Sequence, residues 1–109
     1  MVTDELDTDF DLLRDARRRY LLYYLCEMYG NAAELEAVAN AVYKYETAGT
    51  DAAEHSTRES VRIALHHIHL PLLADAGVVD YDTRQGTVRF TGDSTLEEWV
   101  ERARREELD

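Results

Sequence analysis

The chain has 109 residues, enough for one domain with a modest core and too few for two. Its 23 acidic residues against 12 basic ones give a net charge of -11, a balance that ordinarily argues against a nucleic-acid partner. A single cysteine, Cys26, excludes an intrachain disulfide and a cysteine-rich zinc site, and no apolar stretch approaches the length that spans a bilayer.

Residues 1–8 are acidic where a secretion signal would be basic, so a flexible N-terminus and a cytoplasmic protein are expected. Thr8 or Asp9 can cap a first helix from Phe10 to Tyr29, closed by Gly30. Its buried face would use Phe10, Leu13, Tyr20, Leu21, Tyr24 and Met28. Arg14, Arg17, Arg18 and Arg19 form a basic cluster with three readings: pairing with nearby acids on a solvated face, phosphate contact, or docking to the acidic tail. Cys26, among Tyr24, Leu25 and Met28, reads as a small buried hydrophobe.

Asn31 with Glu34 offers a capped start for a second helix ending near Glu46. Thr47 to His55 is a small, polar linker, longer than the three or four residues that join a tight helix-turn-helix.

The stretch from Ser56 to Val79 organises the rest. Ser56 with Glu59 has capping-box spacing, and the helical pattern stops at Gly77. At about 100° per residue, Val61, Ala64, Leu65, Ile68 and Leu72 fall on one apolar arc, and Ile63, Leu70 and Leu73 on another. A helix apolar on two sides is expected at the centre of the fold. The polar strip between the arcs holds Arg58, Arg62 and His69. Pro71 lacks an amide hydrogen and crowds the carbonyl of His67, which predicts a kink or break near His69 and Leu70. Val79 with Tyr81, and Val88 with Phe90, then alternate as a hairpin with one buried face requires.

Gly92 and Asp93 interrupt the chain, and Ser94 with Glu97 repeats the capping pattern. The last helix, 93–109, carries one apolar stripe of Leu96, Trp99, Val100 and Ala103. Such a stripe is covered by the helix folding back or by a second subunit.

His66 and His69 share the three-residue spacing of a helical metal pair, but no third ligand accompanies them, so histidines with satisfied ring nitrogens are the expectation, with a DNA or pH-sensitive contact as the other reading. No serine or cysteine stands in a nucleophile context and no glycine-rich phosphate loop is present, so neither enzyme activity nor a cofactor is expected. Residues 56–91 hold four arginines against four acids, and the acidic excess lies at the two ends. This middle region repels a polyanion least.

Three segments carry a family resemblance: RRRYLLYYL at 17–25, VRIALHHIHLPLLADAGVVDYD at 61–82 and GTVRF at 86–90. The chain resembles a haloarchaeal winged helix-turn-helix family, and its acidic, nearly lysine-free composition resembles that of salt-adapted proteins. In roughly molar salt the Debye length falls to about 3 Å, so a net negative charge no longer repels DNA at a distance. The resemblance implies a mostly α, α+β fold: three helices, a two-stranded wing and a C-terminal helix, with the winged domain over 9–92. It further implies duplex DNA contacts from Arg58, Arg62 and His69 on the reading helix and from Arg84, Gln85 and Arg89 on or beside the wing. So few cations give little affinity alone, so a homodimer on paired half-sites is expected, joined through Tyr20, Tyr24, Leu96, Trp99, Val100 and Ala103. The alternative is a winged-helix protein-interaction module that does not touch DNA, since this fold serves both uses.

Overall fold

The computed structural model describes residues 11–48 and 57–108. Asp15 stands in extended backbone geometry, and its side chain accepts the Arg17 amide at 2.8 Å to start helix α1, Ala16–Glu27. This cap divides what the sequence presents as a single helix from Phe10: residues 11–13 are helical, and the chain breaks at Arg14 and Asp15. Gly30 and Asn31 take positive φ angles of 73° and 55°, turning the chain out of α1 into strand β1, Ala32–Glu34.

β1 corrects two expectations. Helix α2 begins at Leu35 and runs Leu35–Thr47, because residues 32–34 are drawn into the sheet instead of opening the helix. The sheet therefore has three strands rather than two. Strands β2, Val79–Asp82, and β3, Thr87–Phe90, form the hairpin, and β1 pairs antiparallel with β3 in the order β1-β3-β2. Ala32 faces Arg89 and Ala33 faces Val88 across that register. The linker expected over 47–55 lies outside the described residues from position 49 on.

Helix α3 joins three segments in continuous right-handed geometry: Arg58–Ala64, a π turn over Leu65–His69, and Leu70–Asp75. The capping box is present, one residue later than the sequence spacing suggests. Thr57 Oγ1 accepts from the Ser60 amide and Ser60 Oγ accepts from the Thr57 amide, both at 3.0 Å. Ser56 lies outside the described residues, and Glu59 turns to Arg62 instead.

The expected kink near His69 takes the form of the π turn. The Leu70 amide donates back to the Leu65 carbonyl, and Pro71 has no amide to bond the His67 carbonyl. The wider turn resets the helical phase, so Leu65, His69, Leu70 and Leu73 face inward with Val61. The single arc of Val61, Leu65, Ile68 and Leu72 is thereby split. Val61 and Leu65 are core, whereas Ile68 is 58% and Leu72 44% exposed.

That outward face also removes α3 from the centre of the molecule. The central element is α1, whose Leu21, Leu22, Tyr23 and Leu25 are fully buried between α2, α4 and the sheet. Each such side chain contributes about 1.5–3 kcal/mol of burial free energy.

Helix α4, Ser94–Leu108, starts from Asp93, whose Oδ1 accepts the Leu96 amide at 2.8 Å; Asp93, not Ser94, is the cap. It folds back on its own chain. Leu96 and Val100 join the core, Arg104 pairs with Glu27, and Arg19 makes a two-point ion pair with Glu107 at 2.9 Å through each nitrogen. Among the described residues, no helix is long and apolar enough to cross a membrane.

Candidate nucleic-acid interface

The hairpin is seated on α3 at both ends of β2. The Val78 amide donates to the Leu73 carbonyl at 2.9 Å, and three residues on, the Tyr81 hydroxyl and His66 Nδ1 are hydrogen-bonded at 2.6 Å. β2 thus retraces α3 toward its N-terminal half, and the β2–β3 turn points the same way. Asp82 builds that turn. Its Oδ1 accepts the amides of Arg84 and Gln85 at 3.0 and 3.2 Å, and its carbonyl accepts the Gly86 amide at 2.8 Å. Gly86 has φ 70°, a conformation glycine adopts without a Cβ penalty, and its carbonyl accepts the Leu35 amide at 2.7 Å. The turn is fixed to the start of α2 as well as to β2 and β3.

This frame holds Arg84 and Gln85 exposed at the turn, Arg89 exposed on the outer face of β3 opposite Asp80, and Arg58 exposed at the first residue of α3. Two other residues implied for DNA contact stand differently. His69 is only 5% exposed, carried into the core by the π turn, and its Nδ1 lies 3.5 Å from an Arg18 nitrogen. Burial first, then the nearby Arg18 and Arg17 charges, hold its pKa below the usual histidine value against the opposing pull of Asp15. His69 is thus a core residue and not part of a polar strip. Arg62 is half-buried and held between Glu59, at 2.8 Å, and Glu36, at 3.6 Å.

The remaining arginines are engaged elsewhere. Arg14 pairs with Asp11, Arg17 with Glu46, and Arg104 and Arg105 with Glu101. Arg18 donates to the carbonyls of Leu12 and Asp11, and Arg102 lies over the Trp99 ring. Among the described residues, the arginines whose guanidinium is in no ion pair, hydrogen bond or ring contact are Arg58, Arg84 and Arg89. All three belong to α3 and the hairpin.

The cluster early in α1 therefore combines two of its three readings, local acid pairing and docking to the acidic tail. Of the residues expected to join two copies, Leu96 and Val100 are buried within this chain and removed from its surface. Tyr20, Tyr24, Trp99 and Ala103 remain partly exposed. Cys26 is half-buried beside α4, with its thiol pushed up to about 12 by burial and by Glu97 and Glu101, which suits an inert thiol. No group of three or more metal-ligating side chains occurs among the described residues.

Sequence reasoning did not find the Glu36 contact to Arg62, which adds to the Glu59 pair, and it anticipated Glu107 only as one of the acids of the tail. Both act across long separations, and neither sits in a local pattern.

Residues 10–89 match the family described as a domain of unknown function, DUF7344, and the chain belongs to that family. No curated protein and no solved structure matches the chain.

Proposed function

We propose that the chain is a winged-helix regulator that binds duplex DNA as a homodimer, with α3 at the groove and the β2–β3 turn on the phosphate backbone. The order α1-β1-α2-α3-β2-β3, with β1 completing a three-stranded sheet, supports the winged-helix assignment. One observation carries the DNA reading. Arg14, Arg17, Arg19, Arg62, Arg104 and Arg105 are ion-paired, whereas the three arginines whose guanidinium is in no ion pair, hydrogen bond or ring contact among the described residues, Arg58, Arg84 and Arg89, lie on the two elements this fold uses for DNA. Their placement leaves residues 56–91 charge-balanced, four arginines against four acids, on a chain of net charge -11. Salt-adapted composition supports the same reading, since high salt screens the acidic remainder. The protein is then a cytoplasmic binder, not an enzyme.

The test is crosslinking and recovery of DNA with the tagged chain in its own cells, beside an Arg58→Ala/Arg84→Ala variant. Discrete sites sharing a two-fold related motif, lost in the variant, are expected. A flat profile for the parent overturns the reading.

A second reading is favoured by a separate observation: Ile63, Ile68 and Leu72 leave α3 with an apolar outward face, 45%, 58% and 44% exposed. Apolar side chains contact thymine methyls but read little else in a groove. In this reading α3 docks another protein, and the acidic surface serves solubility alone. Ile68→Ser and Leu72→Ser separate the two. Loss of a recovered protein partner with DNA recovery intact favours the interaction module.

A further inference from the structure

We infer that the groove between α1 and α2, together with Tyr29 in the turn that follows Met28 of its wall, is the surface through which two copies of this chain associate. The inference rests on the two-copy element of the proposed function and assigns it a place. The groove has a volume of about 380 Å³ and runs along the C-terminal half of α1, walled by Tyr24, Met28, Ala41 and Tyr45. Immediately after Met28, the 3-10 turn Tyr29–Asn31 holds Tyr29 clear of its own chain at 103% exposure. A tyrosine held fully in solvent beside an aromatic-walled groove that it does not enter is a knob next to a hole.

Charge is arranged in the same way. Lys44, the sole lysine of the chain, and Glu27 both line the groove. Lys44 is exposed and forms no ion pair among the described residues, while the Glu27 side chain is 43% exposed beyond its contact with Arg104.

A two-fold interface brings one patch against itself, so each contact made by one residue is returned by its mate. Such a patch must carry both halves of every complementary pair, and this one does. The knob and the hole, and the cation and the anion, lie on one surface. A second copy rotated by 180° can seat each Tyr29 in the other groove and set each Lys44 toward the other Glu27. An unrelated acidic or basic partner would satisfy one of those charges and repel the other. Leu96 and Val100 take no part, being buried in the monomer, whereas Tyr24 stays in the interface.

The experiment is sedimentation equilibrium of the full chain in high-salt buffer without DNA, for the parent and for Tyr29→Ser, Lys44→Glu and Lys44→Arg. Circular dichroism serves as the folding check, and both positions are exposed enough for folding to survive. The parent is expected to dimerise. Tyr29→Ser and Lys44→Glu are each expected to weaken association about tenfold or more, and Lys44→Arg to retain it. A parent that stays monomeric, or a dimer indifferent to both Tyr29→Ser and Lys44→Glu, overturns the assignment. Because no DNA is present, loss of the DNA reading leaves this result standing, and the reverse also holds.

Discussion

The Tyr23 hydroxyl donates to Glu107 Oε1 at 2.7 Å, joining the middle of α1 to the last turn of α4 across 84 residues of sequence. Tyr23 is fully buried, and the same carboxylate group accepts from Arg19, so one acid satisfies a phenol and a guanidinium together. These hydrogen bonds hold the Glu107 pKa below the usual carboxylate range, with the Arg19 bond the largest cause. Glu107→Ala leaves the Tyr23 hydroxyl without its acceptor and should cost about 1–3 kcal/mol. Urea unfolding measures this as a lowered midpoint. Tyr23→Phe removes the donor as well, so the double variant Tyr23→Phe/Glu107→Ala should lose less than the sum of the singles. Strict additivity would show that the contact contributes nothing. The Glu107 contribution is present above the unfolded glutamate pKa of about 4.3 and is lost as pH falls through the lower folded value.

The two sides of α3 should respond oppositely to truncation. Leu65 is fully buried, and Leu65→Ala is expected to cost about 2–5 kcal/mol. Ile68→Ser and Leu72→Ser, at positions 58% and 44% exposed, should stay within about 0.5 kcal/mol of the parent. Thermal melts of the three variants decide it. Equal losses at all three would restore the single apolar arc and place the π turn in doubt.

This pair of faces shows what could be read from the sequence and what could not. The hairpin was legible because Val79, Val88 and Phe90 alternate over adjacent residues, and all three are buried. The α4 stripe was legible for a similar reason, at period 3.6. The face of α3 was not, because a constant 100° step carries Ile68 and Leu72 into line with Leu65, and one wide turn ends that alignment. Pro71 signalled a disturbance without saying whether the helix would break or widen. β1 escaped because AAE has no strand character of its own and becomes a strand only through its pairing with β3. The hairpin arginines were readable by position, but the pairing of Arg62 with Glu59, three residues back on the same helix, was hidden because Glu59 also has capping-box spacing from Ser56.

Stability should fall on mild acidification through His69. The ring is buried and faces Arg18 and Arg17 from α1, Asp15 from the α1 cap and Glu46 from α2, with burial the largest influence and its pKa lowered. The folded state thus binds the proton less readily than the unfolded chain. The stability due to the neutral ring is complete above the unfolded histidine pKa of about 6.5 and declines below it until the folded pKa is passed. The slope approaches about 1.4 kcal/mol per pH unit for one proton. Urea midpoints between neutral and mildly acidic pH should fall more steeply for the parent than for His69→Gln. Parallel lines for the two proteins would remove His69 from the account.

The arginines are expected to divide by their partners. Arg58, Arg84 and Arg89 carry charge that no acid offsets by an ion pair among the described residues, so each can release a counterion on meeting a phosphate. Replacing any one by alanine should weaken DNA binding similarly across sequences, if its contact is to phosphate, and reduce the salt slope of log K by about 1. Arg62→Ala should do less, because Glu59 and Glu36 already offset its charge. Arg104→Ala, at a position paired with Glu101 and Glu27 on α4 and α1, should leave binding unchanged. Fluorescence anisotropy on a recovered duplex, titrated at several salt concentrations, separates the three groups. The interface is misplaced if Arg62→Ala or Arg104→Ala flattens the salt slope while Arg58→Ala and Arg84→Ala do not. Melting curves for the exposed arginine variants should coincide with the parent within about 0.5 kcal/mol, so any loss of binding belongs to the contact and not to the fold.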